Sequence, residues 1–324
     1  IMEKIIETIN ELESLRGVPQ FLFFSPIFPE TAVHLRKKII DFKNNYNNTS
    51  EIDFIINSPG GSPADAYRII RSLRNNFDQV NVIVPFWAKS AATLLSLGAN
   101  QIIMDEYGEF GPLDIQIGVE REDSPDFDIE SALNDEYSVR RIETRSQELY
   151  YEMFVNLYSN REIKINKNDL SNQILKYLAH FYEPLLNQIN PYNLGRKKRK
   201  LDIGENYAKR ILYTYNKQIN DDDVLKLVDF LVNGCPDHGY VIDYFVMSQF
   251  MSNILKTVEI SEKYANKVSE LTTEIINLKN DKIYVDFITS SSNENNNLKY
   301  VTSKNVNKSK IKQDETNNES QPKK

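Results

Sequence analysis

Cysteine is almost absent: Cys235 is the sole one in 324 residues. No internal disulfide can form, and no CxxC pair is present for zinc or redox chemistry. A lone thiol fits a reducing compartment. Histidine is nearly as scarce, with His34, His180 and His238. No stretch approaches the ~20 apolar residues that span a bilayer. The Phe21-Leu22-Phe23-Phe24 run sits between Gly17-Val18-Pro19 and Pro26 and reads as a buried strand. Positive charge is also short, 39 Lys and Arg against 46 Asp and Glu for a net −7. Nothing global therefore points to nucleic acid or an anionic membrane. There is no GxGxxG after a strand and no P-loop, so no nucleotide cofactor is expected, and no metal. The opening residues are acidic and amphipathic, without the basic and apolar blocks of a secretory signal. A cytoplasmic location is expected, with peripheral membrane association left open.

What is present suffices for a sizeable core: 40% hydrophobic residues, 11% aromatic ones. The length suggests about two domains. Apolar runs at 21–25, 51–57, 80–85 and 101–105 alternate with helical patterns at 31–45, 63–76 and 89–98. This is the pattern of a mostly parallel sheet with crossover helices. The strands are continuous apolar runs, as expected when both faces are covered. An α/β fold is thus expected over residues 18–118. Beyond Gly118 an acidic loop leads into helical patterns at 129–158, 168–187, 204–216 and 221–232. Residues 248–280 read as one long helix able to self-associate. From about residue 290 the chain is polar and reads as disordered. The expected organisation is an α/β core (1–118), a helical extension (119–247), a long helix (248–288) and a polar tail (289–324).

Glycine is scarce too, 11 residues in all, yet two stand adjacent in INSPGGSPADAY (56–67) at a strand end. A tight turn explains them in part. The alternative is that their N–H groups bind a developing negative charge. One helix and one strand later comes Lys89-Ser90-Ala91-Ala92-Thr93. A serine at the start of a buried helix, just past a strand, is favourably placed for a nucleophile. In a parallel sheet the two segments lie at neighbouring C-terminal strand ends, where open α/β sheets bind ligands. Each motif alone is usually a cap or a turn; together they suggest an oxyanion hole beside a nucleophile.

The motifs SPGG, AKSAATLLSLGA and GEFGPLD, in that order, resemble the serine dehydrogenase proteinase family. Its wider class is the Clp-protease and signal-peptide-peptidase-A type serine peptidases of crotonase-like fold. The likeness is close over 20–118 and extends weakly over 190–212 and 236–243. It implies a crotonase/Clp-protease-like parallel sheet with Ser90 as nucleophile. It also implies that Gly60, Gly61 and Ala91 line the oxyanion hole. Such folds commonly assemble into rings or stacks, so a homo-oligomer acting on a peptide or protein is expected.

The proton acceptor is less legible. Clp-type enzymes place a histidine near the next strand end, and Gly111-Pro112-Leu113-Asp114-Ile115-Gln116 holds none. Asp114 orients a partner or caps a turn, the turn being favoured. His238, in Asp237-His238-Gly239, matches the family's His-Gly motif and is the tentative base. A serine–lysine pair is the other solution, but Lys89 adjoins Ser90 and is expected to contact substrate or a carboxylate instead. The basic run Arg196 to Lys200 is a solvated face, a site for an acidic partner, or the source of a lysine reaching over from a neighbouring subunit, so the base is His238 or a lysine. A serine peptidase is therefore the first reading. A catalytically silent scaffold of the same fold is the alternative, and an acyl-CoA-type enzyme a weaker third.

Overall fold

Continuous apolar strands can be satisfied only by burial on both faces, and the protein does so with a seven-stranded sheet. The computed structural model describes residues 2–46, 48–113, 116–120, 127–160, 162–237, 239–257, 262–277, 282–288 and 301–302. In chain order the first part comprises α1 (Met2–Arg16), β1 (Gln20–Phe24), α2 (Pro29–Asn45), β2 (Glu51–Asn57), α3 (Pro63–Asn76) and β3 (Gln79–Val84). There follow β4 (Trp87–Ala88), α4 (Ala91–Ser96), β5 (Gln101–Met104), β6 (Glu109–Phe110), β7 (Gln116–Glu120) and β8 (Phe127–Ser131). The helices α5 (Ala132–Ser159), α6 (Lys167–Leu186), α7 (Pro191–Tyr215), α8 (Asp221–Asp229) and α9 (Tyr244–Met251) come next. The last elements are β9 (Leu255–Thr257), α10 (Glu262–Ile276), β10 (Lys282–Ile288) and β11 (Val301–Thr302).

The sheet order is β11-β10-β1-β2-β3-β5-β9. The pairings from β1 through β2, β3 and β5 to β9 are parallel, whereas β10 joins β1 antiparallel. This is the α/β fold with a parallel sheet and crossover helices read from the sequence. Side-chain alternation sorts the strands onto two faces. One carries Leu22, Phe24, Ile55, Ile83 and Ile103, packed on Ile5, Ile9 and Leu12 of α1 and Tyr264, Val268, Leu271 and Ile275 of α10. On the other, Phe54 stacks between Phe21 and Phe23 at 5.4 and 5.5 Å. At the N-terminal strand ends the first face turns polar. Buried Asp53 receives both Nε and Nη2 of Arg16 at 3.0 Å, Gln20 at 2.9 Å and Asn81 at 2.8 Å. Such saturation is what a buried carboxylate requires.

The chain divides into two compact units, 1–113 with 204–324, and 114–203. This differs from the expected organisation in two ways. The extension expected over 119–247, read as completing the peptidase-like region, is divided at Gly204, its later part grouping with the α/β core. The single helix expected over 248–280 is broken into the end of α9, strand β9 and α10. Its apolar stripe faces α1 and the sheet, since Val268 and Leu271 are fully buried there. The expected disordered tail falls outside the described residues except for β11, which pairs with β10.

The second unit holds the β7–β8 hairpin and the α5–α6 pair. Along α6, Leu170, Ile174, Leu178 and Tyr182 recur at four-residue steps and bury against Leu149, Tyr150 and Met153 of α5. No described helix in the chain is long and apolar enough to cross a membrane.

Candidate active site

The turn after β2 is built against two other segments at once. Ser58 forms a parallel bridge to Ala88, donating its N–H to Trp87 O at 3.0 Å and accepting from Lys89 N at 2.9 Å. Three residues on, Gly61 bridges Ile27: the Ile27 N–H bonds Gly60 O at 2.7 Å and the Ser62 N–H bonds Ile27 O at 2.8 Å. Gly60 and Gly61 have φ of 93° and 143°. A side chain at Gly60 would lie 2.5 Å from Lys89 O and 2.9 Å from Ser90 Cβ. At Gly61 it would lie 2.2 Å from Ile27 O. Both glycines are therefore required by backbone conformation and by close approach.

Their amides differ. The Gly60 N–H is committed to Ser58 Oγ at 3.1 Å, so it is not one of the open donors expected from the motif. The peptide that follows is trans, and its C=O and N–H point in opposite directions. Because Gly60 O is turned to Ile27, the Gly61 N–H projects away from Ile27. Gly61 is exposed, Gly60 buried.

Ser90 lies directly across from Gly60 at the start of α4. Among the described residues it is the sole non-glycine with positive φ, at φ 52° and ψ −116°. L-residues occupy such conformations only where surrounding structure imposes them, commonly at functional sites. Ser90 is half-buried, and Ala91 and Ala92 behind it are buried. The Ala91 N–H opens the helix and has no intrahelical acceptor, while Ala92 and Leu94 already bond Lys89 O and Ser90 O.

The turn is clamped from below. Fully buried Thr93 places Oγ1 2.7 Å from Ala88 O and 2.8 Å from Gly111 O, and accepts the Gly111 N–H at 3.2 Å. Lys89 donates from Nζ to Glu109 Oε1 at 2.8 Å and to Phe110 O at 3.2 Å. The carboxylate expected for Lys89 is thus Glu109, one strand away. Sequence reasoning missed Glu109, Thr93 and Ser58. All three lay within quoted motifs, but a serine before Pro-Gly-Gly signals a turn without revealing which amide it holds, and nothing in the other two motifs shows what Thr93 and Glu109 touch.

Asp114 and His238 lie outside the described residues. Four positions after His238 in the sequence, Ile242 exchanges hydrogen bonds with Phe110 at 2.9 and 3.1 Å. Phe110 in turn pairs with Ala88, two residues before Ser90. His34 lies on α2 and exposed His180 on α6, the latter 3.6 Å from Glu183. Burial pushes the Cys235 thiol up to about 12, so it offers no competing thiolate. Among the described residues no cluster of His, Cys, Asp and Glu could hold a metal.

A strained serine on a strand-to-helix turn, opposed by a glycine turn at the neighbouring strand end, shares its local geometry with the exposed serine of a nucleophile elbow. The comparisons narrow the class. Residues 5–129 match the family of ClpP-like SDH-type serine proteinases, the family read from the three motifs. Two uncharacterized proteins of Methanocaldococcus jannaschii are similar. One is 33% identical over 114 residues, 35% of this chain and 38% of that protein. The other is 40% identical over 67 residues, 21% and 23% of the two chains. Among solved structures, the 1510-N membrane-bound stomatin-specific protease is 18% identical over 39% of this chain and 61% of its own, with a TM-score of 0.29. ClpP1 from Listeria monocytogenes is 20% identical over 34% and 58%, with a TM-score of 0.26. The chain thus spans less than two thirds of each, and the fold assignment rests on the topology given above.

Proposed function

We propose that the protein is a serine-type peptidase with Ser90 as nucleophile and the N–H groups of Gly61 and Ala91 as the oxyanion hole. The observation that carries this reading is the imposed positive φ of Ser90 at the head of α4, with Gly60 packed on its Cβ. The Ser90 hydroxyl attacks a peptide carbonyl and passes its proton to a base, which then protonates the departing amine. The carbonyl oxygen becomes an oxyanion between two amides, and water later hydrolyses the acyl-enzyme. Preorganised donors of this kind contribute about 2.7–4 kcal/mol each to transition-state stabilisation. Gly60 serves by its lack of a side chain; Ser58, by holding its N–H, fixes the direction of the next amide.

In this reading Lys89 is a clamp. Its Nζ is committed to Glu109 Oε1 and Phe110 O. His238 is the base, a reading supported by the His-Gly motif it shares with the family and by the bonding of Ile242, four positions on in the sequence, to Phe110 beside the strand leading to Ser90. The substrate is a peptide or protein and the active form a homo-oligomer. A fluorophosphonate probe tests the core of the proposal. Ser90 is expected to be labelled, the Ser90→Ala variant not, and His238→Ala slowly, with recovery on added imidazole. Absence of label on Ser90 in the wild type would favour the silent scaffold.

A further inference from the structure

One face of α3 carries Tyr67, Arg71 and Arg74 at four- and three-residue steps, which places them side by side. The second half of α7 brings Tyr207, Arg210 and Tyr215 to the same place. The rings of Tyr67 and Tyr207 lie 5.2 Å apart. Arg210 and Arg71 sit 4.7 and 5.6 Å from the Tyr67 ring centre, and Arg74 5.2 Å from that of Tyr215. Cation–π contacts hold guanidinium groups in place but leave their charge uncompensated. Arg68, next to them, is paired with Asp65 at 2.6 Å. Among the described residues no carboxylate forms an ion pair with Arg71, Arg74 or Arg210. Arg74 Nη1 is buried with no hydrogen-bond acceptor among them.

The electrostatics agree with the geometry. Burial pushes the Arg74 guanidinium down, opposed by Tyr215 alone. Burial and Tyr67 push the Tyr215 hydroxyl up, against Arg74, Arg71 and Arg210. Three cations thus converge on one phenol in a chain whose net charge is −7. Like charges held together without counter-charge are costly, and an anion bound among them removes that cost.

We propose that Arg71, Arg74 and Arg210, with the Tyr215 hydroxyl, bind the phosphoryl group of a small phosphate-bearing ligand. Guanidinium forks match carboxylate and phosphate alike. A carboxylate, however, offers two oxygens and one charge to three arginines. A phosphoryl group offers three terminal oxygens and up to two charges, and Tyr215 adds a neutral donor. The site is independent of the Ser90 reaction and stands or falls separately from it.

The test is thermal unfolding of the full chain in inorganic phosphate, inorganic pyrophosphate and chloride at matched ionic strength. A bound anion raises Tm as its concentration exceeds Kd. The expected result is a rise with phosphate, larger with pyrophosphate, that is lost in Arg71→Gln/Arg210→Gln and retained in Arg68→Gln. The exposed pair Arg71 and Arg210 is chosen so that the variant folds, and its circular dichroism verifies this. Parallel titration with a nucleoside monophosphate separates sources: equal affinity means the phosphoryl group alone is read, tighter binding a nucleotide. Equal Tm in phosphate and chloride would overturn the proposal. So would an unchanged response in the double variant, or a double variant altered only in its mass by light scattering, which assigns the arginines to carboxylates of a second copy.

Discussion

Ser90 is the residue at which local preference and structure conflict. Its φ of 52° with ψ of −116° is open to glycine and strained for any other residue. That strain is about 1–3 kcal/mol, and the double bridging of the 58–61 turn to Ala88 and Ile27 is what imposes it. Ser90→Gly is therefore expected to be more stable than Ser90→Ala, although both lose fluorophosphonate labelling. The relief outweighs the extra unfolded-state entropy of glycine, about 0.5–1 kcal/mol. Denaturant midpoints of the two variants measure the difference, and equal midpoints would show that no strain is stored. At this scale the sequence was informative where a residue type is forced. Gly60 and Gly61 are legible because no other residues fit a crowded, positive-φ turn, whereas Ser90 and Ala91 are read from their place at a helix start just past a strand end. Which amide is open was not legible, because it depends on Gly60 O turning toward Ile27, a contact between segments more than thirty positions apart in the sequence.

At the scale of elements, the core strands were readable because each is a continuous apolar run. The C-terminal ones were not. The three-residue β9 is too short to carry a period, and β10 becomes a strand by pairing antiparallel with β1, a partner some 260 positions away. The apolar stripe of α10 was legible as a stripe, whereas its partner, α1 and the sheet rather than another chain, was not. A polar anchor also fixes α10. Asp105, 5% exposed just past β5, accepts from Thr272 Oγ1 at 2.9 Å, and that hydroxyl also reaches Pro85 O at 2.8 Å. Burial raises the Asp105 pKa, against lowering by Thr272, the Glu106 N–H and Ser269. A carboxyl whose pKa is higher folded than unfolded gives its full stabilisation only below the unfolded value near ~3.9. That contribution is lost as pH rises through the folded value. Asp105→Asn keeps an acceptor for Thr272 and cannot ionise. Its stability relative to wild type is expected to improve between roughly pH 4 and roughly pH 7. Urea midpoints at both pH values measure this, and a difference that does not change with pH would contradict the linkage.

For the whole molecule, the division into two units means that stability is distributed unevenly. The α/β unit buries both faces of a seven-stranded sheet, with Phe21, Phe23, Phe54, Ile55 and Ile83 fully inaccessible. In the second unit the α5–α6 pair shares one narrow seam, the four α6 residues Leu170, Ile174, Leu178 and Tyr182. Tyr151, Tyr177 and Phe181 stand exposed on the same two helices, at 69%, 50% and 53%. A two-helix pair with one seam offsets little of its ordering entropy, so its opening free energy falls below that of the sheet. Limited chymotrypsin digestion is expected to cut at Tyr151, Tyr177 or Phe181 well before any bond in β1, β2, β3 or β5. Mass spectrometry of early fragments reads the order. When opening and closing are fast relative to cleavage, that order reports equilibrium populations of open forms. Lower protease concentration should then slow every cut alike and leave the order unchanged. Cuts in the sheet strands at the same rate as in α5 and α6 would instead mean that both units open in one cooperative step.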